Sequence, residues 1–259
     1  MSGKSGANGF FEDNPMAWVG VALLGLVALA ALLVSNGTIK PAKKIAVAKS
    51  AKLVKTAGHA IVTPAHASSV PPAVVKMGER VFKENCEVCH QADAIGKPGV
   101  APSLINPEFL SLASDKFLMS TIRDGREDTG MPPWAHLGRT KIRAVVEYLR
   151  SHQTVPDRSA QVNNEADSHG DPRLGQQWYE NICSTCHGVA GDGYAAGGTG
   201  TAIGLKGFLN KVTDGFIRET VKYGRSNTRM RGFKGPTAIA NLSDQEIDDI
   251  IVYLRSHAK

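Results

Sequence analysis

Five residues, Cys86-Glu87-Val88-Cys89-His90, recur as Cys183-Ser184-Thr185-Cys186-His187. Their types and spacing suit one chemistry. Two thiols on a single helical turn add to the two vinyl groups of one haem, and the adjacent histidine faces the iron as proximal ligand; C-x-x-C-H is the attachment signature of haem c. A zinc site would bring its cysteine pairs within about 15–20 residues of each other. Here the two motifs start 97 residues apart, and each has its own histidine. A thioredoxin-like dithiol would sit in a βαβ pattern, which the sequence lacks. All four cysteines lie in the two motifs, so none is left for a disulfide. Two covalently bound haem c groups, each with one iron, are the expected cofactors.

Haem c is attached outside the cytoplasm, so the chain needs an export signal. Met16 to Val34 is free of charge and rich in Leu, Ala and Val. Its length is close to the roughly 20 residues that span a bilayer and exceeds the roughly 7–15 apolar residues of a cleavable signal peptide. It reads as an uncleaved transmembrane signal-anchor, with Trp18 at the interface. Cleavage after Ala28-Leu29-Ala30 or after Ala65-His66-Ala67 is the alternative. The expected location is the inner (cytoplasmic) membrane, single-pass, with the haem domains on the periplasmic side. The flanking charge opposes this orientation: Lys40, Lys43, Lys44, Lys49, Lys52 and Lys55 follow the anchor with no acidic residue among them. The positive-inside rule would keep them in the cytoplasm, but haem attachment requires the opposite. These lysines account for the net charge of +6, and the haem domains are close to neutral. Nucleic acid is excluded as a partner in that compartment. The lysine run reads as a solvated tether, with anionic headgroups or an acidic partner as the other reading. As flexible coil it spans about 35 Å, less if residues 43–55 are helical. His59 and His66 read as solvated.

The remainder is an internal repeat. Gly78 and Phe82 precede Cys86 as Gly175 and Tyr179 precede Cys183. An offset of 99 residues relates Asp115–Arg126 to Asp214–Arg225, Met131 to Met230 and Trp134 to Phe233. Both copies close on Tyr-Leu-Arg-Ser-His, at Tyr148 to His152 and Tyr253 to His257. The layout is a tail and anchor (1–35), a Lys/Ala/Pro-rich linker (36–71), a first domain (72–153), a linker (154–170) without apolar periodicity, and a second domain (171–259). The fold class is mostly α, with one N-terminal transmembrane helix and two tandem domains. Helices are expected at about 73–85, 115–124 and 140–151 and again at 172–182, 214–223 and 243–256. Ser243-Asp244-Gln245-Glu246 forms a capping-box pattern. Gly78 and Gly175 would let the first and last helices of each copy cross closely.

With these motifs the chain resembles the class I c-type cytochromes, in particular their membrane-anchored diheme members. It is similar to the diheme subunit of cbb-type haem–copper oxidases and to cytochrome c subunits of quinol-oxidising complexes. The first copy carries the pattern nearly whole: Gly78, Phe82, the attachment motif, Pro102 and Gly130-Met131-Pro132-Pro133-Trp134. The resemblance implies a small helical fold around each haem, with Cys86, Cys89, Cys183 and Cys186 as attachment points. It implies axial ligands His90 and Met131 for the first iron and His187 and Met230 for the second, with Trp134 and Phe233 beside the cofactors. It also implies that the Pro102 carbonyl accepts the free ring N–H of His90. The second copy departs from the pattern. Thr201 stands where Pro102 does, so a proline carbonyl is not assured for His187. Gly191 to Gly204 is glycine-rich, Met230 lies between Arg229 and Arg231, and an insertion follows near 234–241.

A methionine is usually core filler. Met119 aligns with Arg218 and Met77 with Leu174, whereas Met131 and Met230 match in register. His152 and His257 also match, but they sit at helix C-termini, where capping is their expected role. His/Met ligation closes the iron to substrate and raises its potential. The expected function is therefore single-electron transport in a respiratory or photosynthetic chain. The chain would be a subunit of, or tethered shuttle between, a quinol-oxidising complex and a terminal oxidase, or would meet a small soluble cytochrome. The rival is a diheme enzyme of peroxidase or thiosulfate dehydrogenase type with one open haem, but no separate acid–base constellation accompanies it. Arg225, Arg229 and Arg231 surround Met230 in sequence. They are expected to raise the second potential above what the ligand set alone would give; the other reading is that they point to solvent or pair with the haem propionates.

Overall fold

Proline opens the first helix of each copy, where its missing N–H costs nothing. α1 (Pro72–Asn85) leads into the short α2 (Glu87–His90), which carries the first attachment motif. The computed structural model describes residues 70–259; the expected anchor, the lysine run, His59 and His66 lie outside the described residues. Then follow α3 (Pro107–Leu112), α4 (Asp115–Asp124), α5 (Gly138–Ser151) and α6 (Ser159–Asn163). The second copy comprises α7 (Pro172–Trp178), α8 (Ser184–His187), α9 (Lys206–Leu209), α10 (Asp214–Tyr223) and α11 (Asp244–Ser256). The described residues contain isolated bridges but no strand. None of their helices is long and apolar enough to cross a membrane.

Local rules set the boundaries. Ser114 and Thr213 cap α4 and α10 by accepting from the amides of Phe117 and Phe216, and both helices stop at a glycine of positive φ, Gly125 and Gly224. The capping box of α11 is present in full. One element differs from expectation. α7 does not run on as α-helix to the attachment motif; a π-helical turn, Tyr179–Cys183, joins it to α8. That turn brings the Tyr179 hydroxyl onto the Gly188 carbonyl at 2.7 Å, a bond that Phe82 of the first copy cannot make.

Each core is built on a helix crossing that only glycine permits. A Cβ on Gly78 would lie 1.9 Å from the Ala144 carbonyl oxygen, and one on Gly175 would lie 1.9 Å from that of Asp249. The aromatics pack beside the crossings, Phe82 with Tyr148 and Tyr179 with Tyr253, both at 5.4 Å. The shared Tyr-Leu-Arg-Ser-His ending has a structural reason. Arg150 of α5 donates to the Leu110 and Ala113 carbonyls and pairs with Asp115. Arg255 of α11 repeats this with Leu209, Val212 and Asp214. Each arginine thus ties the last helix to both ends of the turn before the middle helix.

The two copies pack against each other. Phe117 and Phe216, equivalent in register, meet at 5.6 Å, and Phe109 adds an edge contact to Phe216. Lys211 pairs with Asp124 at 2.9 Å, Arg158 with Glu219, and Asn106 donates to the Ser226 carbonyl at 2.9 Å. The segment expected as a linker is packed as well. Val162 is fully buried, the Arg158 amide donates to the Ser111 carbonyl, and Glu165 pairs with the buried Arg218. One buried valine among polar residues leaves no periodicity to read.

Replacing Arg150 by Met removes a fork that holds two buried carbonyls, and is expected to cost about 3 kcal/mol. Arg150→Lys, which keeps the charge but not the fork, should lose less. Denaturant unfolding of the haem-loaded protein reads both; equal losses would show that the charge alone matters.

Candidate functional site

The site begins at an imidazole whose proton position is fixed. His90 is buried, and its Nδ1 lies 3.0 Å from the Pro102 carbonyl oxygen. A carbonyl only accepts, so Nδ1 carries the proton and Nε2 keeps the lone pair that ligates a metal. The connecting loop folds back through Gly96, whose φ is +82° and whose Cβ would lie 2.4 Å from the Pro102 carbonyl carbon. Burial holds His90 below the ordinary histidine pKa, against the hydrogen bond to Pro102, and the nearby Arg126 charge adds to the lowering.

The second copy reaches the same arrangement by another route. His187 Nδ1 donates to the Thr201 carbonyl at 2.7 Å. No proline is needed, because the acceptor is backbone. The glycine-rich stretch lets that backbone approach. A Cβ on Gly200 would lie 2.7 Å from two atoms of the His187 ring, and one on Gly198 would lie 2.2 Å from the Cys186 carbonyl oxygen. The Gly200 amide also donates to that carbonyl at 2.7 Å. His187 too is held below the ordinary value, mainly by burial, with Arg225 adding to it.

Cys86, Cys89, Cys183 and Cys186 are free, half-buried thiols. Burial pushes Cys86 up to about 11 and Cys183 up to about 12. A redox dithiol needs the reverse shift. Among the described residues no group of three or more His, Cys, Asp or Glu is gathered to hold a metal ion.

The methionine loops are built alike. A Cβ on Gly125 would lie 2.7 Å from the Met131 carbonyl oxygen, and one on Gly224 would lie 2.4 Å from that of Met230. The amides of Arg126 and Arg225 donate to those same carbonyls, at 3.0 and 2.7 Å. Thr129 donates its hydroxyl to the Arg126 carbonyl and accepts from the Met131 amide; Thr228 does the same between Arg225 and Met230. These threonines set the loops, and sequence reasoning missed them although they share the 99-residue offset. Met131 and Met230 are half-buried against the core, as are Met77 and Met119, so burial alone does not separate ligand from filler. Trp134 and Phe233 close the loops, their amides donating to the Ile122 and Val221 carbonyls.

Three other expectations find their places. His152 and His257 occupy the C-caps of α5 and α11, with rings against Tyr148 and Tyr253. Of the arginines near Met230, Arg229 and Arg231 are exposed, and only Arg225 turns inward, over the Phe109 ring. The insertion near 234–241 stays at the surface, with Ile239 exposed. Paired thiols, an imidazole with its Nε2 lone pair free and an in-register methionine fit haem c in both copies.

Comparison with known proteins agrees with this geometry. Residues 73–149 match the family model described as cytochrome c oxidase, cbb3-type, subunit III, and residues 173–258 match cytochrome c. The chain is 31% identical over 194 residues to the cbb3-type cytochrome c oxidase subunit CcoP of Rubrivivax gelatinosus, covering 74% of this chain and 58% of that protein. It is 33% identical over 121 residues to the subunit FixP of Bradyrhizobium sp. (strain ORS 278), covering 45% of this chain and 37% of that protein. The chain thus spans less than two thirds of the length of either relative. Among solved structures, the Kuenenia stuttgartiensis reducing HAO-like protein complex Kustc0457/Kustc0458 aligns at a TM-score of 0.47 and 22% identity, over 74% of this chain and 100% of that one. With a cytochrome model matched in each of its two copies, the chain belongs to the class I c-type cytochromes and carries two covalently bound haem c groups.

Proposed function

We propose that this chain is the membrane-anchored electron-transfer subunit of a cbb3-type oxidase, passing single electrons from a quinol-oxidising complex or a small soluble cytochrome towards the oxidase. The observation that carries this reading is the duplicated site. Each copy offers a histidine with its Nδ1 proton held by a carbonyl and a methionine on a loop pinned by threonine. Cys86 and Cys89, and Cys183 and Cys186, would hold the cofactors; His90 with Met131, and His187 with Met230, would ligate the irons. When bound, haem c supplies one-electron exchange between Fe(III) and Fe(II).

The chain's own residues do the rest. The Pro102 and Thr201 carbonyls keep the imidazoles in the ligating tautomer. The loops at Gly125 and Gly224 hold Met131 and Met230, whose sulfurs would ligate the irons, leaving no open site, and so would keep small molecules off them. Burial of Phe82, Tyr179 and their neighbours limits rearrangement when the charge changes. The names of the CcoP and FixP relatives support the oxidase assignment. The uncharged stretch Met16 to Val34 supports the anchor, and the site of haem attachment supports a periplasmic location for the domains.

Two outcomes test this. The ferrous wild-type protein is expected to leave carbon monoxide unbound, while Met131→Ala and Met230→Ala each open one haem to it, read as one equivalent in the CO difference spectrum. Binding by the wild type would favour the diheme enzyme. Removal of residues 16–34, with a cleavable signal supplied instead, is expected to release a soluble diheme protein and abolish co-purification with oxidase subunits from mild detergent. Retention in the membrane would refute the anchor.

A further inference from the structure

The two copies differ in charge on one face beside the second methionine loop. The 99-residue offset pairs Lys222 with Arg123, Tyr223 with Asp124, Arg231 with Pro132 and Lys234 with Ala135. In the first copy Arg123 is neutralised by its neighbour Asp124 at 2.6 Å. In the second copy that acid is a tyrosine and two further cations appear. The insertion near 234–241 is a closed loop. The Leu242 amide donates to the Phe233 carbonyl at 2.6 Å and shuts its base. The Gly235 amide donates to Asn241 Oδ1 at 2.9 Å, and the Lys234 amide donates to the Lys222 carbonyl at 3.3 Å. Between this loop and the end of α10 lies an open cavity of about 460 Å³, whose wall includes Lys222, Tyr223, Arg231, Lys234, Thr237 and Ile239. Cys183, Cys186, His187, Met230 and Phe233 take no part in that wall, so the cavity is separate from the haem site.

The charge in this wall is not balanced. Lys222 and Lys234 share one carboxylate oxygen, Asp244 Oδ1, at 3.0 and 2.6 Å. Glu219 lies 3.9 Å from Lys222 but is already held by Arg158. Arg231 has no ion pair among the described residues, and Thr237 has no side-chain hydrogen bond among them. Three cations, from a helix end, the methionine loop and the insertion, thus have one carboxylate of their own. A phosphate group suits such a wall, because ammonium groups bind it as point charges and a guanidinium binds two of its oxygens at once. The cavity is also of a size that takes a small molecule rather than a bare ion. Its rim is apolar. Tyr223 and Ile239 are 63% and 73% exposed, and an aromatic and an aliphatic side chain beside cations suit the boundary between lipid headgroups and acyl chains.

We propose that Lys222, Arg231 and Lys234, closed in by the 234–241 insertion, form a binding pocket for a phosphate group, and that its apolar rim suits the headgroup of an anionic phospholipid. The inference depends neither on the haem ligands nor on which complex the chain serves. The first copy has no counterpart, since Pro132 and Ala135 replace two of the three cations.

The test uses the full haem-loaded chain in lipid nanodiscs. Mass spectrometry reads how fast a water-soluble acylating reagent modifies Lys234, relative to the exposed Lys116 of the first copy. Three conditions are compared: phosphatidylcholine alone, phosphatidylcholine with phosphatidylglycerol, and phosphatidylcholine with inorganic phosphate added. Phosphatidylglycerol is expected to slow Lys234 about fivefold, as occupancy protects the amine, and Arg231→Gln and Lys222→Gln are each expected to remove the slowing. Slowing by phosphatidylglycerol alone would identify a lipid site, and slowing by inorganic phosphate, with or without the lipid effect, a site for the free anion as well. Unchanged rates in both conditions would overturn the proposal. So would equal slowing in both variants, which would show nearness to an anionic surface and no pocket. Only samples with two haems attached are compared, which sets aside a variant that fails to fold; the other variant then decides.

Discussion

Each half of this protein depends on one hydrogen bond, from a histidine Nδ1–H to a backbone carbonyl. It fixes the tautomer, and with it the nitrogen left free to bind a metal. It also dictates the loop, which must return from the histidine and present a carbonyl at about 3 Å. The first copy does so with a turn through Gly96 and a proline at the acceptor. The second uses a glycine-rich stretch whose backbone lies against the imidazole ring, with Gly200 nearest. The constraint falls on a backbone atom, so the side chain at the acceptor is free to change from Pro102 to Thr201. Only the path that delivers the carbonyl is restricted.

The opposite side of each site follows the same logic. Gly125 and Gly224 take positive φ because a helix must stop there and because the methionine loop passes within van der Waals distance. Thr129 and Thr228 then bridge the loop to itself. One turn of chain thus places both a methionine and an arginine, the first against the core and the second over a phenylalanine ring of the other copy, Arg126 on Phe208 and Arg225 on Phe109. The repeat therefore duplicates a contact between domains as well as a site within each.

Much of this was legible in the sequence. The C-x-x-C-H pairs, the 99-residue offset, the helix-crossing glycines and the capping box depend on residue types at fixed short spacings, and all appear where those spacings put them. The Arg-Ser-His endings were visible, but the purpose of Arg150 and Arg255 was not, because their partners are carbonyls that carry no residue signature. The π-helical turn at Tyr179–Cys183 and the packed segment around Val162 escaped for a related reason: a single tertiary contact outweighs local propensity in each. Thr129 and Thr228 were in register and could have been found by asking which polar residues repeat beside Met131 and Met230. That Arg225 turns inward while Arg229 and Arg231 face solvent was beyond the sequence, since it depends on how the copies dock.

The central claim is His/Met ligation at both haems, and the optical spectrum of the oxidised protein tests it most directly. The account predicts two equivalents of the weak far-red methionine-to-iron band per chain. A single equivalent, or a high-spin signal at either haem, would contradict it.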